Sequence, residues 1–430
     1  MFVTGRAVVA AAMGGVVVVL MPSWATAWNW LALVTLLIAL DVVIAAPPRD
    51  VVVTRTTTPV VRLGETGRST LVLHAPGRRG LRGVVRDAWT PTAGAAANRH
   101  RIRIPAGEQR RVSTALLPIR RGERAADLVT IRSEGPLRLA GRQASLEVPG
   151  SILVLPPFHS RRHLPSRLAM LREMDGRSAV MTRGQGTEFD SLREYVIGDD
   201  VRAIDWRATA RARDVMVRTW RPERDRRVFV VVDSGRLSAV RLGEETRLDA
   251  QMEAALLLAA LASHAGDRVQ VVAVDTEVRA RTVGKTGPAL MNSLAEDLAV
   301  VEPEIAETNW TLVATTVRQS LSQRSLVVLL TALDSSTLQG GLLQVAGTLA
   351  SDHTVVLASA SDEVESELRA DVSDTSAAFI AAAAERSLLE REAAGLRLRQ
   401  RGVEVVEATA PELAVAVADT YLRLKRAGRL

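Results

Sequence analysis

The run "VFVVVDSGR", residues 228–236, decides how the C-terminal half of this chain folds. Five apolar residues precede Asp233 with nothing polar between them. A strand that buries one face alternates apolar and polar residues, whereas an unbroken apolar run of strand length is buried on both faces. Similar runs recur as "VQVVAVD" (269–275), "SLVVLLTALD" (325–334), "HTVVLAS" (353–359) and "VEVVEA" (403–408), and "EVRART" (277–282) reads as a short hairpin arm. Helical segments separate them. "RLDAQMEAALLLAALASHAGD" (247–267) reads as amphipathic, and 288–300, 311–323, 337–350, 377–402 and 411–427 also carry helical patterns. Strands alternating with helices predict a doubly wound, mostly parallel α/β domain over residues 228–430. Ligands of such sheets bind beyond the carboxyl ends of the strands. That places Asp233-Ser234-Gly235, Asp275-Thr276 and Thr331-Ala332-Leu333-Asp334 at the candidate functional edge.

Residues 49–155 read as a β-sandwich-like domain. "VVVTRTTTPVVRL" (51–63), "STLVLHA" (69–75), "GVVRDAW" (83–89), "HRIRIPA" (100–106), "RRVSTALLPI" (110–119), "DLVTIRS" (127–133) and "ASLEVPG" (144–150) are short β-branched runs with Gly, Pro and Asn between them. No cluster of histidines or carboxylates stands out there, so a binding or spacer module is expected.

Residues 1–48 are expected to form a transmembrane helical hairpin. "AVVAAAMGGVVVVLM" (7–21) and "WLALVTLLIAL" (30–40) are apolar, and the turn-like "PSWATAWNW" would hold Trp24, Trp28 and Trp30 at an interfacial belt. An alternative is a signal peptide ending at the A-x-A of residues 25–27. Either reading leaves the later domains cytoplasmic, in line with Arg49 and Arg55 just after the second run. Asp41 is expected near the headgroups, as a carboxylate without a partner.

The chain has 430 residues, a net charge of +7 and no cysteine, so disulfides and thiolate metal sites are excluded. Only Lys285 and Lys425 among its 55 basic residues are lysines, which points to a GC-rich bacterial coding bias before it points to a ligand.

Residues 156–227 link the two larger domains and contain "GTEFDSLREYVIGDDVRAIDWRATAR" (186–211). Those 26 positions hold Glu188, Asp190, Arg193, Glu194, Asp199, Asp200, Arg202, Asp205, Arg207 and Arg211. They also hold Phe189, Tyr195, Gly198 and Trp206, in a chain only 3% aromatic. Glu188, Asp199, Asp200 and Asp205 would suit a cryptic metal-dependent hydrolase. Yet the stretch has no Lys or His, and an Arg lies within a few positions of each carboxylate. Arg–carboxylate pairs lock loops. The favoured expectation is therefore a salt-bridged latch of Arg193, Asp199, Asp200, Arg202, Asp205 and Arg211, with Phe189, Tyr195 and Trp206 anchored in apolar pockets. Nucleic acid is not expected as a partner: residues 161–227 carry 16 Arg against 11 Asp and Glu, interleaved rather than forming a basic stripe.

This stretch, followed by "VRTWRPERDRRVFVVVDSGR", resembles the signature of the bacterial "domain of unknown function 58" family. The resemblance implies two N-terminal membrane helices, a β-domain and a von Willebrand factor A-like domain. It also implies a MoxR-type AAA+ ATPase as partner, often with a transglutaminase-like membrane protein, while the family itself has no settled activity. The expectation is a membrane-anchored cytoplasmic adaptor that docks the ATPase and couples it to an envelope target, not an enzyme. An apolar strand ending in Asp is similar to the start of a von Willebrand A domain, where D-x-S-x-S, a Thr and a later Asp hold Mg²⁺. Here Gly235 and Leu237 occupy the serine positions and Ala332 replaces the late Asp, with Asp334 two residues displaced. Asp233, Thr308 (or Thr311) and Asp334 are thus a degenerate site, and no cofactor is expected.

Overall fold

The computed structural model describes residues 1–181, 188–197, 199–212, 214–221, 226–334 and 337–430. The chain divides into two compact units, Met1–Pro156 and Pro157–Leu430.

The first unit opens with β1 (Phe2–Val3), α1 (Gly5–Leu20) and α2 (Trp24–Ile44). The Ser23 hydroxyl accepts the Thr26 N–H at 3.1 Å and starts α2 there. Trp24, Trp28 and Trp30 therefore lie inside α2, not in a turn between two apolar runs. The Trp30 indole donates to the Ala10 carbonyl at 3.1 Å, and its ring occupies the space over Gly14 that any side chain would fill. This contact closes the helical hairpin. α2 is long and apolar enough to cross a membrane; α1 is apolar but shorter.

Eight further strands follow: β2 (Val52–Thr57), β3 (Val60–Arg62), β4 (Gly67–His74), β5 (Leu81–Ala88), β6 (Arg99–Ile104), β7 (Gln109–Leu116), β8 (Gly122–Glu134) and β9 (Ala140–Leu155). One sheet runs β1-β9-β8-β5-β6 with β3 also on β9; the other runs β2-β4-β7. Leu71 and Leu73 of β4 share a core with Val85 of β5, Ile102 and Ile104 of β6, and Val129 and Ile131 of β8. The period-two burial of these strands is the pattern expected of sheets that pack face to face. Beside this core, Asp87 accepts from Arg55 at 2.6 Å, from Ser69 at 2.8 Å and from the Trp89 indole at 3.0 Å.

Asp41 is not a lone carboxylate. It is fully buried, and it accepts the backbone N–H groups of Leu137, Leu139 and Ala140 at 2.8, 2.7 and 2.9 Å. Thr4, just before α1, donates to the Leu139 carbonyl from its backbone N–H at 2.9 Å and to the Arg138 carbonyl from its hydroxyl at 2.6 Å. The tip of the β8–β9 hairpin is thus gripped by the start of α1 and the end of α2.

In the second unit, α3 (Leu164–Met181) precedes β10 (Glu188–Glu194), the short α4 (Trp206–Thr209) and β11 (Met216–Arg221). Then come β12 (Arg227–Asp233), the small strands β13 (Arg241–Leu242) and β14 (Glu245–Thr246), and α5 (Arg247–His264). β15 (Arg268–Val274), β16 (Val278–Thr282), α6 (Gly287–Ala299), α7 (Trp310–Ser320) and β17 (Leu326–Leu330) follow. The chain ends with α8 (Leu343–Asp352), β18 (Thr354–Ser361), α9 (Val364–Ala370), α10 (Thr375–Gln400), β19 (Glu404–Thr409) and α11 (Ala410–Arg426).

The main sheet runs β16-β15-β12-β17-β18-β19, parallel except for the edge strand β16. Phe229 and Val231 face a core built with Trp310, Val313 and Val317 of α7, Leu349 of α8 and Leu398 of α10. Val228, Val230 and Val232 alternate with them, equally buried, and α5 packs against β12 and β15. This explains the unbroken apolar run: both faces of β12 are covered. α5 itself departs from the amphipathic expectation. It is buried from Ala250 through Ala262, Gln251 and Glu253 included, because α11, α6 and α3 cover the sides that the sheet does not.

Candidate functional site: the strand edge and the signature hairpin

β12 delivers Asp233 to the carboxyl edge, where it is buried. Its carboxylate accepts hydrogen bonds from the hydroxyls of Thr308 and Thr331 and from the Gly235 N–H at 2.8 Å. Burial pushes the Asp233 carboxyl above the usual carboxylate range, against the pull of these donors and of Arg247. Asp334 is not among its partners; it acts with Asp233 on the partly buried Arg247, whose own pKa burial lowers. Thr308 closes the site from the other side. A side chain on Gly235 would collide with the Thr308 hydroxyl, so a serine does not fit there as the loop stands. Asp233 is the one carboxylate among these groups, and Gly235, Leu237 and Ala332 supply no side-chain oxygen, so the full D-x-S-x-S, Thr and Asp ligand pattern is not present. Among the described residues no three His, Asp or Glu side chains are grouped to hold a metal.

Asp275, at the end of β15, is similarly enclosed. It accepts from the Ser234 hydroxyl at 2.9 Å, from the Thr276 N–H at 2.6 Å and from Arg279 at 2.8 Å. Burial alone would raise its pKa, but Arg279 and the surrounding N–H and hydroxyl donors outweigh burial and hold it below the ordinary value. Arg279, which sequence reasoning missed, lies on β16 just past the turn from β15, which folds it back onto Asp275.

The signature folds as an antiparallel hairpin, β10 against β11, with Glu194 opposite Met216. Each aspartate in the connection holds a turn. Asp199 accepts from Arg193 at 2.6 Å and from the Val196 N–H at 3.0 Å. Asp200 accepts the Arg202 N–H at 2.9 Å. Asp205 caps α4 through the N–H groups of Arg207 and Ala208, both at 3.0 Å, and pairs with Arg218 at 2.8 Å. Arg193 and the Val196 N–H hold the Asp199 carboxyl below its usual range; the Ala208 N–H and then Arg218 do the same for Asp205.

The expected six-membered ion network is therefore two separate, half-exposed pairs plus one capping aspartate. Arg202 and Arg211 are exposed and take no part in either pair. Arg218 was missed, although its place opposite Leu192 follows once the hairpin is recognised. The apolar residues also depart from expectation. Trp206 is 69% exposed and Ile197 96% exposed, with Val196 and Val201 exposed beside them in sequence. Trp206 begins α4 directly after its cap, which sets it on an outer turn instead of in a pocket. Tyr195 is half-buried, its N–H donating to Val215 at 2.7 Å. Gly198 and the side chains of Glu188 and Phe189 lie outside the described residues.

Residues 191–393 match the family described as "Protein of unknown function DUF58". This part of the chain belongs to the DUF58 family. The DUF58 match begins within β10 and ends within α10, so the signature hairpin and most of the parallel sheet fall inside it. No curated protein matches the chain. Among solved structures, the CARDB domain of the PF1109 protein from Pyrococcus furiosus aligns at 12% identity, covering 24% of this chain and 92% of that one, with a TM-score of 0.18. A beta-glucosidase from Listeria innocua aligns at 10% identity over 24% of this chain and 16% of its own, with a TM-score of 0.17. A GH20 exo beta-N-acetylglucosaminidase mutant from Vibrio harveyi aligns at 10% identity over 83% and 75%, with a TM-score of 0.22. Likenesses this low carry no argument about fold or function.

Proposed function

We propose that this protein is a membrane-anchored cytoplasmic adaptor whose DUF58 region docks a MoxR-type AAA+ ATPase and couples it to an envelope target. The observation that carries this reading is the signature hairpin. Its three turn aspartates are engaged in backbone capping and ion pairs, while Ile197, Trp206, Val196 and Val201 face solvent. Rigid turns that display aromatic and aliphatic side chains suit a protein contact. Acid–base chemistry would instead need a carboxylate free to move a proton. The ATPase as partner follows from the family resemblance. The same reading takes the α/β unit as von Willebrand A-like, because Asp233 ends a central strand and meets threonines from two later loops. It takes α1 and α2 as two spans, with the arginines that follow α2 on the cytoplasmic side. A transglutaminase-like membrane protein is a further candidate partner.

The test is co-purification of the full-length chain from membranes with the ATPase, with and without ATP. Enrichment of the ATPase that falls with Trp206→Ser supports the adaptor. No enrichment in either state, together with hydrolase activity lost in Asp205→Asn, would replace it with the enzyme reading.

A further inference from the structure

Where α2 ends, the first unit carries a cavity of about 250 Å³. Val51 and Leu81 of the sandwich core form part of its wall, and Arg78, Arg79, Arg142 and Asp50 line it as well. Two of the arginines are already oriented by the helix end. Arg79 donates to the carbonyls of Val43 and Ile44 at 2.7 and 3.2 Å, and Arg142 donates to Val42 at 2.8 Å. These are carbonyls that a helix leaves without intrahelical partners. Each guanidinium carries five N–H donors, so both keep donors to spare. Arg78 is exposed and has no side-chain partner among the described residues.

We propose that this cavity binds the phosphodiester headgroup of an anionic phospholipid. Three arginines against one aspartate leave it net positive, and an arginine fork matches phosphate oxygens. Asp50 disfavours a second negative charge, which suits a singly charged diester over a phosphomonoester. The apolar wall suits the glycerol and first acyl carbons. The level is set by α2: its 21 residues span about 31 Å, close to the ~30 Å hydrocarbon core, so residues just past its end sit among headgroups. This placement rests on the membrane reading above. The hydrogen bonds of Asp41, Arg79 and Arg142 fix the helix end to the sandwich, so the cavity stays at that level.

The test is native mass spectrometry of the detergent-solubilised full-length chain, doped in turn with phosphatidylglycerol and phosphatidylcholine. Wild type is expected to retain one phosphatidylglycerol and not phosphatidylcholine. Arg78→Glu should lose about tenfold or more of that retention, ~1.4 kcal/mol, while Arg82→Glu, outside the cavity, keeps it. Equal retention of the two lipids, or unchanged retention in Arg78→Glu, overturns the proposal. So does stripping of the lipid by millimolar inorganic phosphate, which would make this a free-phosphate site. Flotation of the chain with vesicles reads the membrane assignment separately. A chain that floats without selecting phosphatidylglycerol sinks the cavity alone; one that selects it without floating sinks the anchoring.

Discussion

Asp233 shows how one residue type at one place can mean two things. The sequence pattern puts a carboxylate at a strand end, the place where the von Willebrand A domains it resembles hold a cation. Gly235, Leu237 and Ala332 supply no side-chain oxygen there, and the hydroxyls of Thr308 and Thr331 donate to the carboxylate. The missing donors were legible in the sequence. The sequence reading named Thr308 (or Thr311) and Thr331 beside Asp233; the structure sets Thr308 and Thr331 on its carboxylate, across 75 and 98 residues of chain. Calorimetry of the full-length chain with Mg²⁺, Mn²⁺ or Ca²⁺ should show no binding tighter than millimolar, roughly −4 kcal/mol. Micromolar binding lost in Asp233→Ala would contradict this. The raised Asp233 pKa gives a second expectation. A group raised in the folded state contributes stability that is full below its unfolded pKa, about 3.9, and is lost as pH rises through the folded value. Asp233→Asn keeps an acceptor for Gly235 and carries no charge. It should melt at or above wild type at neutral pH, and the difference should shrink as pH falls toward 4. A variant that melts several degrees lower at neutral pH would show that the ionised form stabilises the fold.

Among the elements, the parallel strands and long helices were legible from unbroken apolar runs and helical periodicity. Three features were not. The start of α2 was misplaced because tryptophans suggest an interface as readily as a helix, and the Ser23 cap decided the matter. The α5 pattern suggested one wet face because Gln251 and Glu253 are polar, yet further helices cover them. The β10–β11 hairpin stayed hidden because its charged residues blur the alternation of a strand and its arms are separated by 21 residues. Trp206 is largely exposed, so Trp206→Ala should shift stability by no more than about 0.5 kcal/mol, read as an unchanged melting curve; a large drop would place Trp206 in a packed pocket after all. The contrast is α11. Lys425 donates to Asp267 at 2.9 Å, the Tyr421 hydroxyl donates to the same carboxylate at 2.5 Å, and Lys425 and Asp267 are nearly inaccessible to solvent. Lys425→Met would strand a buried carboxylate at a cost of about 3–5 kcal/mol. Thermal melting should show it as a loss of many degrees, and a wild-type melt would mean that the pair contributes nothing net.

For the whole molecule, two compact units share the work: one carries the apolar helices and the sandwich, the other the DUF58 region with its parallel sheet. The sequence reading divided the chain at residues 48, 155 and 227, whereas the two units divide between Pro156 and Pro157 and residues 157–227 fall to the second. The proposed adaptor role rests on an exposed hairpin and a family resemblance, not on a catalytic pattern. The most direct measurement is the affinity of a purified MoxR-type ATPase for the full-length chain in nanodiscs, compared between wild type and Ile197→Asp. The account predicts saturable binding that weakens about tenfold or more in the variant, ~1.4 kcal/mol or greater. No binding in any nucleotide state, or equal affinity for the two chains, would contradict it.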